Sequence, residues 1–161
     1  YFYNAQKYSK AINYFAEIDF VTLTAEQQMQ GKFQFAYSYF SERKLADALL
    51  YFNQVKFSQH AYTAAANYYA GFIEFSEEKY DEALTDLKKA ETNEAYQSIV
   101  PYLIASIYYR KGQYDELLKY AEKVMALESL KNRKELSLLV AESYYAKGNF
   151  IKAAELYNQS L

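Results

Sequence analysis

One phrase, written five times, limits what this chain can become. Lys79–Ala90 reads KYDEALTDLKKA, and its Tyr80, Ala83, Leu84, Leu87 and Ala90 recur at steps of three and four. Residues so spaced share one face of a helix. Alanines at two of the five places require a neighbour packed very close. KYSKAINYFAEI from Lys7, KLADALLYFNQV from Lys44, QYDELLKYAEKV from Gln113 and NFIKAAELYNQS from Asn149 repeat the pattern. Anchored on Tyr8, Leu45, Tyr80, Tyr114 and Phe150, the copies stand 37, 35, 34 and 36 residues apart. Such a period marks stacked repeats, in which each unit touches only its neighbours and the core is a ribbon. No β pattern competes, so the expected fold is all-α.

Between the phrases lie more helices. Residues 1–6, with Tyr1-Phe2-Tyr3, read as the last turn of a truncated helix, followed by a helix over about 7–19 and a connection at Asp19–Leu23. Thr24 and Gln27 fit a capping box opening a helix over about 25–41, paired with one over about 44–56. Further pairs are expected over about 60–77 and 80–91, 98–111 and 114–127, and 132–147 and 150–160. Pro101 falls in the first turn of its helix with Ser98 as N-cap, where a missing N–H costs little. Gly112 and Gly148 occupy the same place between paired helices, where a left-handed residue closes the first of the two. Gly71 is mid-helix, matching Ala36, Ala105 and Ala141, and implies tight helix–helix approach. The units are therefore one array over 1–161: a truncated first repeat at 1–20, then repeats at about 25–57, 60–91, 95–127 and 132–161.

Composition removes several functions. The net charge is −2, and the basic groups Arg43-Lys44, Lys88-Lys89 and Lys131-Arg133-Lys134 are small and scattered, so they read as solvated helix ends. There is no basic field for nucleic acid, and stacked aromatics alone do not hold a single strand. No cysteine is present, which removes disulfides, thiolate catalysis and zinc–thiolate sites. One histidine, His60, builds no His-based metal site and reads as a surface residue near a helix start. No phosphate-cradling loop, HExxH or nucleophile elbow occurs. Glu77, Glu78, Asp81, Glu82 and Asp86 fit favourable charge at a helix N-terminus. No catalytic residue, cofactor or metal is expected, and no segment reads as a signal peptide or membrane span.

The repeat resembles the tetratricopeptide repeat, a helix–turn–helix unit of about 34 residues. In that family the first helix, A, carries a small residue followed three places on by an aromatic. Ala36/Tyr39, Ala105/Tyr108 and Ala141/Tyr144 match, while Gly71 is followed by Glu74, a departure. The second helix, B, shows an aromatic, alanine, aromatic and small-residue series. Tyr80, Ala83, Leu87 and Ala90 match, as do Phe150, Ala153, Tyr157 and Ser160; Leu117 replaces one alanine and predicts local spreading of its pair. The family's early Trp is absent and most spacings exceed 34. The resemblance covers nearly the whole chain and implies a right-handed α-solenoid of stacked helix-turn-helix repeats, its A helices lining the concave side. By analogy with aromatic-rich, cysteine-free arrays of the family, it also implies a bacterial protein of the cell envelope or periplasm.

Tyr and Phe number 20 and 11, and they sort into two sets. Tyr39, Tyr108, Tyr144, Tyr80, Phe52 and Tyr157 fall on the family's packing positions. A second set lies on the other A-helix face: Phe33, Tyr37 and Phe40; Tyr68, Phe72 and Phe75; Tyr102, Ser106 and Tyr109; Leu138, Glu142 and Tyr145. Either these rings fill a tightly wound superhelix, or they form an aromatic groove for a peptide or helix of another protein. Arg110 stands beside Tyr109, as a carboxylate anchor or as a solvated helix end. Family members that clamp the C-terminal carboxylate of chaperones use Lys, Asn and Arg where Phe33, Tyr37, Tyr69, Ile99 and Leu103 stand here, so that ligand is not expected. The expected function is a non-enzymatic protein-interaction scaffold. Its rival is a structural segment of a longer array or an oligomer joined through end helices, since Ile151, Ala154, Asn158 and Leu161 leave a partly apolar stripe on the last helix.

Overall fold

The computed structural model describes residues 5–19 and 22–160. They form nine helices: α1 (Ala5–Ala16), α2 (Ala25–Ser41), α3 (Leu45–Val55), α4 (Thr63–Ser76), α5 (Tyr80–Glu91), α6 (Val100–Arg110), α7 (Tyr114–Val124), α8 (Arg133–Ala146) and α9 (Phe150–Ser160). Neighbours in sequence pack as neighbours in space, and no strand occurs among the described residues. The architecture is the all-α, right-handed solenoid of helix-turn-helix units. Of the turn expected over residues 1–6, Tyr1–Asn4 lie outside the described residues, as do Phe20 and Val21 of the first connection and Leu161 of the terminal stripe; Ala5 and Gln6 begin α1 instead of ending an earlier helix, because the helical winding runs unbroken through them.

Local chemistry explains most boundaries. Thr24 accepts from the Gln27 N–H at 3.3 Å while Gln27 Oε1 accepts from the Thr24 N–H at 3.0 Å, the reciprocal box that starts α2. Four A helices end in one motif. The N–H groups of Lys44, Lys79, Gln113 and Asn149 return to the carbonyls of Tyr39, Glu74, Tyr108 and Tyr144 at 2.8–2.9 Å. Each bond spans a left-handed residue: Arg43, Glu78, Gly112 and Gly148, with φ of 60°, 61°, 68° and 79°. The last two are glycine, for which this conformation carries no Cβ penalty; the first two bear it.

The sixth helix starts differently from the expectation. Ile99, not Ser98, is its N-cap, and no side chain caps it. The chain already winds from Asn93, whose carbonyl accepts from Tyr96 and Gln97 and whose Oδ1 accepts from Ala95. The capping chemistry therefore sits one turn earlier, and the Ser98 carbonyl accepts from the Lys131 N–H at 2.9 Å. Pro101 does lie in the first turn. The first helix stops at Ala16, α7 at Val124, and α4 begins at Thr63, each about a turn inside the expected bounds because turn residues continue the helical winding at those ends.

Small residues carry the helix contacts. Ala36, Ala48, Ala66, Ala70, Ala83 and Ala90 are fully buried. The buried apolar side chains fall into two clusters, one drawn from α2, α3 and α4 around Phe52 and Ile73, the other from α5 to α8 around Leu87, Ile104 and Leu117. Gly71 stands where they meet. A Cβ there would lie 2.7 Å from Leu87 Cγ and 3.2 Å from the Leu87 N. The α6–α7 pair makes the sparsest contact of the four, consistent with Leu117 filling an alanine's place.

Two substitutions test these points. Gly71→Ala should destabilise by ~1–3 kcal/mol despite its better helix propensity, because fully buried Leu87 has nowhere to move. Glu78→Gly should stabilise by about 1 kcal/mol, since an exposed residue would lose its left-handed strain. Urea unfolding midpoints read both.

Candidate functional site

Part of the second aromatic set comes together over α2 and α4. Phe33 stacks on Tyr62 with ring centroids 5.1 Å apart and meets Phe52 at 5.7 Å and Tyr69 at 6.3 Å. Tyr37 meets Tyr69 edge-on at 5.4 Å, and Phe40 meets it at 5.1 Å. Tyr69, absent from the expected site, is the hub of the group and stacks on Phe52 at 5.3 Å. Burial, then the neighbouring Tyr37 hydroxyl, raise its phenol well above the ordinary value. Tyr68 meets Tyr69 edge-on at 5.2 Å and stacks on Tyr96 at 4.8 Å. Phe33, Tyr37 and Phe40 are thus half-buried, mutually packed rings that still present an edge to the surface.

The remaining candidates spread along the array. Phe72 is 37% exposed and touches Phe40 at 5.9 Å. Phe75 is covered by Arg110, whose guanidinium lies 5.6 Å from its ring centroid. Arg110 is thus an exposed helix end, as one of the two expectations had it, and its guanidinium also lies over the Phe75 ring, joining α6 to α4. Tyr102 is half-buried, and Ser106 donates to its carbonyl at 2.7 Å. Tyr109 packs on Tyr114 at 5.8 Å, and its hydrogen bond to Glu142, followed by burial, raises its phenol. Leu138 and Tyr145 are exposed, and Tyr145 meets Phe150 at 5.1 Å.

An open cavity of about 770 Å³ lies between α1 and α2. Tyr8, Tyr14, Phe15, Phe33 and Tyr37 line it, with Lys7 and Lys10 as its charged members. Phe33 and Tyr37 were expected from their spacing; the α1 residues were not, because in the repeat they read only as packing positions. Tyr14, 66% exposed, is the residue whose position off the helix's packing face could have signalled them.

Three other expectations change. His60 is half-buried: its Nε2 donates to the Val55 carbonyl at 2.8 Å and its Nδ1 accepts from the Tyr62 N–H at 3.1 Å, so it ties the α3–α4 turn. Arg133, though exposed, donates to the carbonyls of Met125 and Leu127 and so caps the end of α7. Asp86 is buried, while Asp81 and Glu82 do occupy the first turn of α5. No group of His, Asp and Glu able to hold a metal and no membrane-length apolar helix occurs among the described residues.

The sequence matches no family model and no curated protein. The backbone does have counterparts. MamA superposes with a TM-score of 0.78 at 15% identity, over 96% of this chain and 87% of that one. A Podospora anserina kinesin light chain with nearly identical TPR-like repeats gives 0.70 at 19%, over 97% and 83%. The C-terminal part of a TPR repeat-containing protein from Cytophaga hutchinsonii gives 0.74 at 18%, over 99% of this chain but 60% of that one. The fold is the tetratricopeptide repeat. On that fold α2, α4, α6 and α8 are the A helices, and the candidate aromatics all lie on them.

Packing and surface roles separate by mutation. Phe33→Ala should cost ~2–4 kcal/mol of stability, because its ring is held by several others. Phe72→Ala should cost less than about 1 kcal/mol. Chemical denaturation with far-ultraviolet dichroism measures both.

Proposed function

We propose that the chain is a non-enzymatic scaffold that binds a peptide or helix of a partner protein along its aromatic A-helix face. The cavity between α1 and α2, floored by Phe33 and Tyr37, is the observation that carries this reading. Its volume of about 770 Å³ suits several side chains of an inserted segment. Tyr rings offer large contact area at small rotamer cost, and a hydroxyl to pair with a partner's backbone. The site continues along Phe40 and Phe72, then Tyr68, Phe75, Tyr102, Tyr109, Arg110 and Tyr145 on successive A helices. Lys7 and Lys10 are charged, exposed and unopposed by any carboxylate in the cavity lining, so the segment favoured is apolar or aromatic with an acidic flank.

A phage-displayed library of helical peptides tests this. Enriched sequences should combine aromatic or aliphatic anchors with Asp or Glu, and Tyr14→Ala or Phe72→Ala should weaken the best binder by ~2 kcal/mol. Charge reversal at Lys7 and Lys10 should abolish the acidic preference. Enrichment without acidic residues, or binders indifferent to all these changes, would contradict the reading.

A second reading rests on the last helix. Ile151 is 78% exposed, and Phe150 and Tyr145 are exposed beside it. An uncovered apolar end of a repeat array favours assembly with a further copy or a continuing array. Light scattering should then show mass rising with concentration, and Ile151→Glu should suppress the rise.

A further inference from the structure

The boundary between the two buried clusters holds the least expected residues of the core. Glu74 of α4 and Asp86 of α5 are 5% and 3% exposed. Lys56, the C-cap of α3, reaches both: its ammonium donates to Asp86 and lies 3.9 Å from Glu74 Oε1. Glu74 Oε2 is buried with no hydrogen-bond partner. In three other A helices the equivalent place is Tyr39, Tyr108 or Tyr144, so a carboxyl here replaces an ordinary packing ring.

Two carboxyls facing one ammonium in an apolar seam cannot both ionise cheaply. Lys56 serves Asp86 first. Burial, then the Asp86 charge, push the Glu74 carboxyl from its ordinary 4.5 up to about 7, against the opposing pull of Lys56. Glu82, also on α5, adds to the negative field. Lys79 in the α4–α5 turn is engaged by Glu77 at 2.7 Å, and Arg110, the cation of α6, lies over Phe75. Protonated, Glu74 becomes a donor, and the Asp86 carboxylate is the acceptor facing it.

We propose that Glu74, Asp86 and Lys56 form a proton-operated joint between the two halves of the array. One proton held between the carboxyls closes α4 on α5; its loss leaves two buried anions on one lysine and loosens the seam. The three residues sit where α4 packs on α5, between the buried cluster around Phe52 and Ile73 and the one around Leu87, and Gly71 packs directly on Leu87 at the same seam. The sign follows from linkage. The folded chain keeps a proton that the unfolded chain releases, so stability is full below pH 4.5, falls as pH rises towards about 7, and is level above. The joint does not depend on what the aromatic face binds.

The chain has no cysteine, so Gln54→Cys on α3 and Lys119→Cys on α7, both exposed, admit a clean spin-label pair across the seam. The distance distribution should be narrow near about pH 5.5 and broader or shifted near about pH 8. Over the same interval the folded-to-unfolded ratio should fall about tenfold or more. Glu74→Gln should hold the narrow distribution at both values. Asp86→Asn should move the transition down by about one pH unit, because Lys56 is then free to stabilise the ionised Glu74. A wild-type distribution that does not change with pH overturns the proposal. So does an unaltered response in Glu74→Gln, or an unmoved transition in Asp86→Asn.

Discussion

Close approach of helices on small residues is the constraint on which this structure depends. Ala36, Ala48, Ala66, Ala70, Ala83 and Ala90 have no exposed surface, and Gly71 is placed where not even a methyl fits. An alanine buries little area by itself. Its contribution is distance: backbones brought near let the larger residues beyond them, Phe52, Ile73, Leu87 and Ile104, interlock at crystal-like density. Where Leu117 takes an alanine's place, the α6–α7 contact is the sparsest of the four helix-turn-helix pairs.

The aromatics follow from that geometry. Tightly paired helices leave shallow grooves between successive units, and rings lying edge to face fill them without needing flexible side chains. Tyr69 at the centre of Phe33, Tyr37, Phe40 and Phe52 does this for α2, α3 and α4. The two meanings weighed for these rings are therefore not exclusive. The inner parts of Phe33 and Tyr37 hold the array together while their outer edges line the α1–α2 cavity. Phe72, Tyr14 and Tyr145 keep the most open edges among these rings.

Fold and site differ in how far they could be read beforehand. Four turns have one Schellman geometry, announced only in two of them by glycine; Arg43 and Glu78 adopt it because the repeat imposes it against their own preference. The Thr24 box was legible since capping is local, within four residues. The start of α6 was not, because the winding from Asn93 depends on how the preceding turn packs. Phe33, Tyr37 and Phe40 were legible as a face by their spacing, whereas Tyr69, on an adjacent register, was weighed only against a chaperone ligand. Glu74 was noticed as a departure, but nothing in its neighbourhood in the chain reveals that Lys56 and Asp86, 18 and 12 positions away, close on it.

The sequence by itself determined the repeat, the helix pairs and the faces, because those follow from short-range periodicity, capping and the tolerance of glycine for left-handed backbone. Only the tertiary structure decided which rings are buried and which are open, that Arg110 covers Phe75, that His60 and Arg133 tie turns, and that a carboxyl pair shares one lysine at the seam. Those outcomes depend on distances between residues of different units. Periodicity states that units stack; the angle and depth of stacking, set by the summed packing of all of them, lie beyond any single copy of the phrase.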